Sequence, residues 1–287
     1  MRLATVRAGD RTTACVRVDH SNDSAREAAG VVVDGVSHVG ELLATPNWRE
    51  IVATAGSSIE FSYEALAPVI PTPGKIICVG LNYAKHILEM GRELPDFPTL
   101  FIKYPEALTG PFDDIYVPEE ASAQLDAESE LAVVIGARCH RVSADEAGAY
   151  IAGYCVMNDY TLRDWQRRTV QFHQGKSYYK TSGFGPWLTT SEDWEPGPRI
   201  TATWNGDVMQ DSTTDDLIFD CETLVSFVSQ IYPLNPGDVI ATGTPDGVGF
   251  AHDPKRFIQS GESVRCAIEG LGFIENTTFI GEAPAGY

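Results

Sequence analysis

At 287 residues with 43% apolar side chains, the chain has enough material to bury a full core, as one large domain or as one large and one small domain. Its formal charge of −19, from 40 acidic against 21 basic side chains, repels nucleic-acid phosphate and anionic lipid and argues against both as partners. No run approaches the eighteen apolar residues of a membrane span, and the opening MRLATVRAGD lacks the apolar core of a secretory signal, so the expected location is the cytoplasm.

The first seventy residues carry short β patterns. In VVVDGVSHV (31–39), Asp34-Gly35 between alternating apolar residues predicts a tight hairpin, and Asn47 before WRE predicts the start of a short helix. Proline and glycine punctuate APVIPTPGK (67–75) and mark a boundary between a small N-terminal domain (1–70) and the remainder (71–287). Beyond it the reading is a buried strand at Ile76 to Val79 and a helix from about Asn82 to Gly91. Strands follow at 99–103, 128–136, 153–158, 200–206, 237–243 and 264–270. Ser143-x-x-Glu146 is a capping-box start, and CETLVSFVSQIY (221–232) has helical spacing. Many strands, few helices and no regular βαβ alternation predict a β-rich α+β fold. The six cysteines are scattered through apolar runs without a C-x-x-C pair and read as reduced core residues.

Five segments carry candidate chemistry. Glu128 and Glu130, two apart at the mouth of the strand LAVVIG, share one face, and their mutual repulsion is relieved if a hard divalent cation such as Mg²⁺ lies between them. Taken alone, the motif also describes a solvated strand end. Asn158-Asp159 ends another apolar strand; if the chain then turns helical, Asp159, Arg163 and Gln166 fall on one face at i, i+4 and i+7. His86 and Glu89 stand at i and i+3 on the short helix, the spacing at which a carboxylate orients an imidazole as general base. Lys176, after a glycine turn, offers a positive charge to an oxyanion, with Lys180 as a rival that spacing does not exclude. The glycine-rich loop GDVIATGTPDGVG (237–249) offers backbone N–H groups and the Thr244 hydroxyl to a carboxylate, or is simply a turn.

Taken in order, KIICVGLNYAKH, FIK with LTGP, ESELAVVIG, NDYTLRDWQ, QGKSYYKTSGFGPW and GDVIATGTPDGVG resemble the fumarylacetoacetate hydrolase family, in its acylpyruvate hydrolase-like branch, over roughly residues 73 to 280. The resemblance implies a β-rich roll, a homodimer, and Mg²⁺ (or Mn²⁺) held by Glu128, Glu130 and Asp159. It further implies a water-activating dyad of His86 and Glu89, with Lys176 at the reacting oxygen. Arg163, Gln166, Thr244 and Tyr83 would contact a small anionic 2-oxo acid. Departures from the family pattern are Ala127 in place of a tyrosine, Tyr104 in place of a proline, and Tyr178-Tyr179 with Lys180 after Lys176.

The expected reaction is hydrolytic carbon–carbon cleavage of a 2,4-dioxo acid through a metal-stabilised enolate. The alternatives are a decarboxylase or isomerase of a 2-oxo or 2-hydroxydienoic diacid using the same enolate, and a non-catalytic ligand-binding protein on this fold.

Overall fold

The structure, a computed structural model, describes residues 1–9, 12–54, 56–89, 93–285 and 287, without the side chains of Thr12, His86 and Glu89. Apolar runs dominated by Val, Ile and Ala give a large mixed sheet. In spatial order its strands are Ser58–Ser62, Glu27–Val32, Thr12–Asn22, Arg2–Gly9, Ser182–Thr190, Ile151–Asn158, Ser129–Ile135, Val239–Ala241, Ile76–Gly80 and Thr99–Lys103. Leu108–Thr109 also pairs, in parallel, with Ser182–Thr190. A second sheet holds Asp207–Thr213, Arg199–Trp204, Glu262–Ile268, Gly272–Ile280 and Ile115–Val117.

The strands at the centre of the large sheet, Ser129–Ile135 and Ile151–Asn158, are buried at every position, as expected of strands covered on both faces. Helices are few. The longest described, Cys221–Ile231, is capped by the Asp220 side chain and buries Leu224, Val225 and Val228. The capping box at Ser143 and Glu146 forms as expected. No helix among the described residues is long and apolar enough to cross a membrane. The α+β architecture, rich in strands, is the one the sequence predicts.

One local expectation is corrected. Asp34-Gly35 forms a turn with Gly35 at φ +83°, but the chain leaves it into the helix Val39–Ala44 rather than a returning strand, so there is no hairpin. Val39 is fully buried and its N–H donates to Thr5 Oγ1, which ties the segment to a helix start. The helix expected from Asn82 runs over Ala84–Glu89, and its expected stop at Gly91 lies outside the described residues. The glycine- and proline-rich GFGPW lies within the buried strand Ser182–Thr190. That strand is held between Arg2–Gly9 and Ile151–Asn158, and this tertiary pairing overrides the local preference of its glycines and proline. Through the same pairing, the N-terminal strands join the large sheet edge to edge.

Candidate active site

The antiparallel register of the two central strands sets Ser129 opposite Asn158, and the Asp159 N–H donates to the Glu128 carbonyl at 2.9 Å. Asp159 therefore emerges from one strand beside Glu128 at the entrance to the other. Glu130 follows two residues on, as the strand's alternation requires. Ligand oxygens of Glu128, Glu130 and Asp159 lie within 4.8 Å of one another, and all three residues are buried. The expectation that Asp159 shares a helical face with Arg163 and Gln166 is corrected. After Asp159 the chain makes the short strand Thr161–Leu162, paired with Leu125–Asp126, and only Arg163–Gln166 is helical. Strand pairing, not helical periodicity, brings these residues together.

Three cations answer the acids. Lys176 ends the one-turn helix His173–Lys176, which lies directly against Arg163–Gln166 because Gly175 has no side chain: a Cβ there would stand 2.3 Å from the Gln166 nitrogen and 2.4 Å from the Leu162 carbonyl oxygen. The Lys176 ammonium, 2% exposed, donates to Glu128 Oε2 at 2.7 Å and to Asp159 Oδ2 at 2.6 Å. Its rival Lys180 lies over the rings of Tyr179 and Tyr287, so of these two lysines it is Lys176 that joins the acid cluster. Lys103, completely buried, pairs with Asp159 Oδ1 at 2.9 Å and donates to Ser182 Oγ and to the Lys176 carbonyl. Arg163 Nη1 meets Glu128 Oε1 at 2.7 Å, while its Nε donates to Asp126 Oδ2 at 2.7 Å.

Asp126 and Lys103 were not singled out in the sequence. Asp126 is fully buried and also accepts the N–H groups of Ala127, Gly249 and Phe250, so one carboxylate fixes both the Arg163 guanidinium and the end of the glycine-rich loop. Gln210, also unforeseen, donates to Thr244 Oγ1 and accepts the Ser129 N–H. Thr244 in turn donates to the Ser129 carbonyl.

Burial and the neighbouring Asp159 and Glu128 push the Glu130 carboxyl well above the usual carboxylate range, against a weaker downward pull from Lys176 and the Gly243 N–H. Burial alone would lower the Lys176 ammonium. Asp159 and Glu128 outweigh it and hold the group above its ordinary value, so Lys176 stays cationic at neutral pH. The same contest, with Asp126 and Glu128 as the acids, raises Arg163.

These groups open onto a cavity of about 240 Å³ whose walls include Glu128, Glu130, Arg163, Gln166, Lys176 and Thr244. Phe101, Phe172 and Phe250 supply apolar surface. Arg163 lines this wall, and its Nη2 is buried without a hydrogen-bond partner among the described residues. Tyr83, by contrast, is fully buried in the core and is not among the residues lining the cavity. The side chains of His86 and Glu89 lie outside the described residues; the helix that carries them does not. Its approach is fixed by Asn82, whose amide bridges the Thr242 carbonyl and the Phe219 backbone.

The acid cluster fits a divalent cation. Fully ionised, Glu128, Glu130, Asp159 and Asp126 would carry four negative charges against three positive ones on Lys103, Lys176 and Arg163, an excess that a divalent cation would relieve. Glu130 has a backbone N–H but no cationic side chain paired with it among the described residues. Three buried carboxylates offer the hard oxygen donors that Mg²⁺ and similar ions prefer.

Residues 75–278, more than two thirds of the chain, match the family model for the C-terminal region of fumarylacetoacetate (FAA) hydrolase. The chain is 44% identical over 216 residues to a Bos taurus protein described as oxaloacetate tautomerase FAHD2A, mitochondrial, covering 74% of this chain and 68% of that protein. Among solved structures it resembles a fumarylacetoacetate hydrolase from Exiguobacterium antarcticum, with TM-score 0.84, 29% identity and 98% and 99% of the two chains covered. It also resembles a 2-hydroxyhepta-2,4-diene-1,7-dioate isomerase from Mycobacterium marinum, with TM-score 0.79, 30% identity and 99% and 100% covered. Family model, fold and clustered acids agree, and the chain is an enzyme of the fumarylacetoacetate hydrolase family.

Proposed function

We propose that this enzyme is a Mg²⁺-dependent tautomerase that interconverts the enol and keto forms of a small 2-oxo acid of the oxaloacetate type. The observation that carries the reading is the Lys176 ammonium, kept charged by Asp159 and Glu128 in the wall of a 240 Å³ cavity, with the Arg163 guanidinium in the same wall. The 44% identity to an oxaloacetate tautomerase supports the same choice.

Tautomerisation moves one proton between the 2-oxygen and C3 and breaks no carbon–carbon bond. It needs a place for the negative charge that develops on oxygen and a group that carries the proton. Glu128, Glu130 and Asp159 would hold Mg²⁺, which would supply Lewis-acid stabilisation of that oxygen when bound. Lys176 acts on the same charge, and one such electrostatic donor contributes about 3 to 4 kcal/mol to the barrier reduction. Arg163 and Gln166 orient the acid's carboxylate. Arg163 is already aimed by Asp126, so little reorganisation accompanies binding. Thr244, held by Gln210, closes the side formed by the glycine-rich loop. We assign the proton transfer to His86, with Glu89 one turn further along the helix Ala84–Glu89 as the group that orients it.

The experiment is to follow the ultraviolet absorbance of enol-oxaloacetate as it decays to the keto form, with purified protein and Mg²⁺. Acceleration that EDTA abolishes and Mg²⁺ restores is expected. A decay rate equal to that of buffer would sink the proposal.

A second reading, hydrolysis of an acylpyruvate, is favoured by the His86 and Glu89 spacing, since such a pair also activates water for attack on a carbonyl. Acetate release from acetylpyruvate measures it, and CO₂ release from oxaloacetate measures decarboxylation. His86→Ala is expected to suppress cleavage of acetylpyruvate more than decarboxylation of oxaloacetate, because only cleavage consumes an activated water. Equal loss of both would give His86 another role.

A further inference from the structure

The inner part of the cavity has its cations committed. Lys103, Lys176 and Arg163 are each bound to carboxylates. Arg167 differs. It follows directly on the helix Arg163–Gln166, its side chain is exposed to solvent, and it lines the same cavity. Its guanidinium carbon lies 4.8 Å from the centroid of Phe250, another wall residue. The Lys255 ammonium stands 3.5 Å from the same ring.

Neither Arg167 nor Lys255 forms an ion pair with a carboxylate among the described residues, although the protein carries 40 acidic side chains. The next residue, Arg168, shows the ordinary situation: it lies over Trp165 and faces Asp164 at 3.8 Å. An aromatic face holds a guanidinium by cation–π attraction without consuming its in-plane N–H donors, which remain directed outward for a planar anion. The cavity wall therefore presents, in Arg167, an exposed guanidinium with no carboxylate partner among the described residues.

We propose that Arg167, seated on Phe250, is the specificity-determining residue that binds the second, distal carboxylate of the substrate, so that the enzyme selects dicarboxylic 2-oxo acids over monocarboxylic ones. The inference rests on the reading of the cavity as a 2-oxo acid site, and it narrows the substrate class. A monocarboxylic 2-oxo acid fills the inner half and leaves Arg167 in water. A dicarboxylic one reaches both ends and gains charge-assisted hydrogen bonds. Lys255, against the same ring, adds positive potential near Arg167.

The test is isothermal titration of the Mg²⁺-loaded protein with oxaloacetate and with pyruvate, alongside the enol-oxaloacetate decay assay. The quantity read is the ratio of the two dissociation constants. Wild type is expected to favour oxaloacetate. Arg167→Gln is expected to reduce that preference at least about tenfold, the scale of one hydrogen bond to a charged group. Arg168→Gln removes the same charge one residue away and should leave the ratio as in wild type. A preference unchanged in Arg167→Gln, or reduced equally by both variants, overturns the proposal. The outcomes separate the two claims. If the preference falls in Arg167→Gln but no protein accelerates enol decay, the distal site stands and the tautomerase reading fails. If wild type accelerates decay while Arg167→Gln keeps the full preference, the tautomerase reading stands and the distal site fails.

Discussion

Lys176→Met tests the central claim that one buried ammonium holds two acids of the cluster together. Methionine keeps much of the side-chain volume and removes the charge. In wild type the ammonium contacts Glu128 at 2.7 Å and Asp159 at 2.6 Å, both buried. Counted with all four acids at their formal charge, removing it takes the cluster from one net negative charge to two. At the 4.8 Å limit separating the acid oxygens, each like-charged pair repels by roughly 3 kcal/mol at an effective dielectric of about 20. That agrees with the general cost of about 3 to 5 kcal/mol for deleting one partner of a buried ion pair. In EDTA, the variant's melting temperature should fall by about 10 °C. Mg²⁺ should then raise it by more than it raises wild type, because the added cation compensates the more negative cluster; at a hundredfold excess over its dissociation constant a ligand contributes about 2.7 kcal/mol. Catalysis should drop about 10² to 10³-fold even at saturating metal. Calorimetric melts of both proteins with EDTA and with Mg²⁺ provide the measurement. A variant as stable as wild type in EDTA, with no larger Mg²⁺ response, would refute the reasoning.

Two further outcomes follow from the same geometry. Asp126→Asn replaces an acceptor of four N–H donors with a side chain that itself donates, so Arg163 loses its charged partner; KM for the 2-oxo acid should rise about 10- to 100-fold, read by steady-state kinetics, and an unchanged KM would mean that Arg163 needs no such anchor. Glu130 supplies a pH dependence of definite sign. Burial and its acid neighbours raise its folded pKa above the unfolded value, so the native state binds the proton more tightly. Its contribution to stability is therefore fully present below the unfolded pKa, about 4.3, and is lost as pH rises through the raised folded value. Metal-free protein should lose stability over that window, and Glu130→Gln should flatten the trend in pH-dependent melts; a wild-type curve that rises through the window contradicts the assignment.

The acids at the site were legible in the sequence for a physical reason. A carboxylate inside or at the mouth of a fully apolar strand is costly unless something compensates it, so Glu128, Glu130 and Asp159 stand out against ESELAVVIG and GYCVMND. Their compensators were harder to read. Lys103 ends the strand Thr99–Lys103, and Asp126 precedes a strand, positions where a solvated charge is commonplace. Only the pairing of distant segments shows that both are buried, one against Asp159 and the other against Arg163. Gln210 escaped notice for the same reason: it bonds Ser129 and Thr244, 81 and 34 residues away. The strand Ser182–Thr190 was obscured by its glycines and proline, whose local preference yields to two neighbouring strands.

The overall charge raised a question that the sequence could pose but not answer: how a protein at −19 admits an anion. The structure shows two different arrangements of positive charge. Inside, Lys103, Lys176 and Arg163 are bound to carboxylates, and their net field is close to neutral until a divalent cation is added. Around Phe250 in the cavity wall, Arg167 and Lys255 meet one phenyl ring without an acidic partner among the described residues. The inner group stabilises charge that develops during reaction, since its donors are fixed beforehand. The outer pair attracts charge that the ligand already carries. Salt should therefore weaken capture through the exposed outer pair more than chemistry at the buried inner group, because screening acts most strongly on exposed charges.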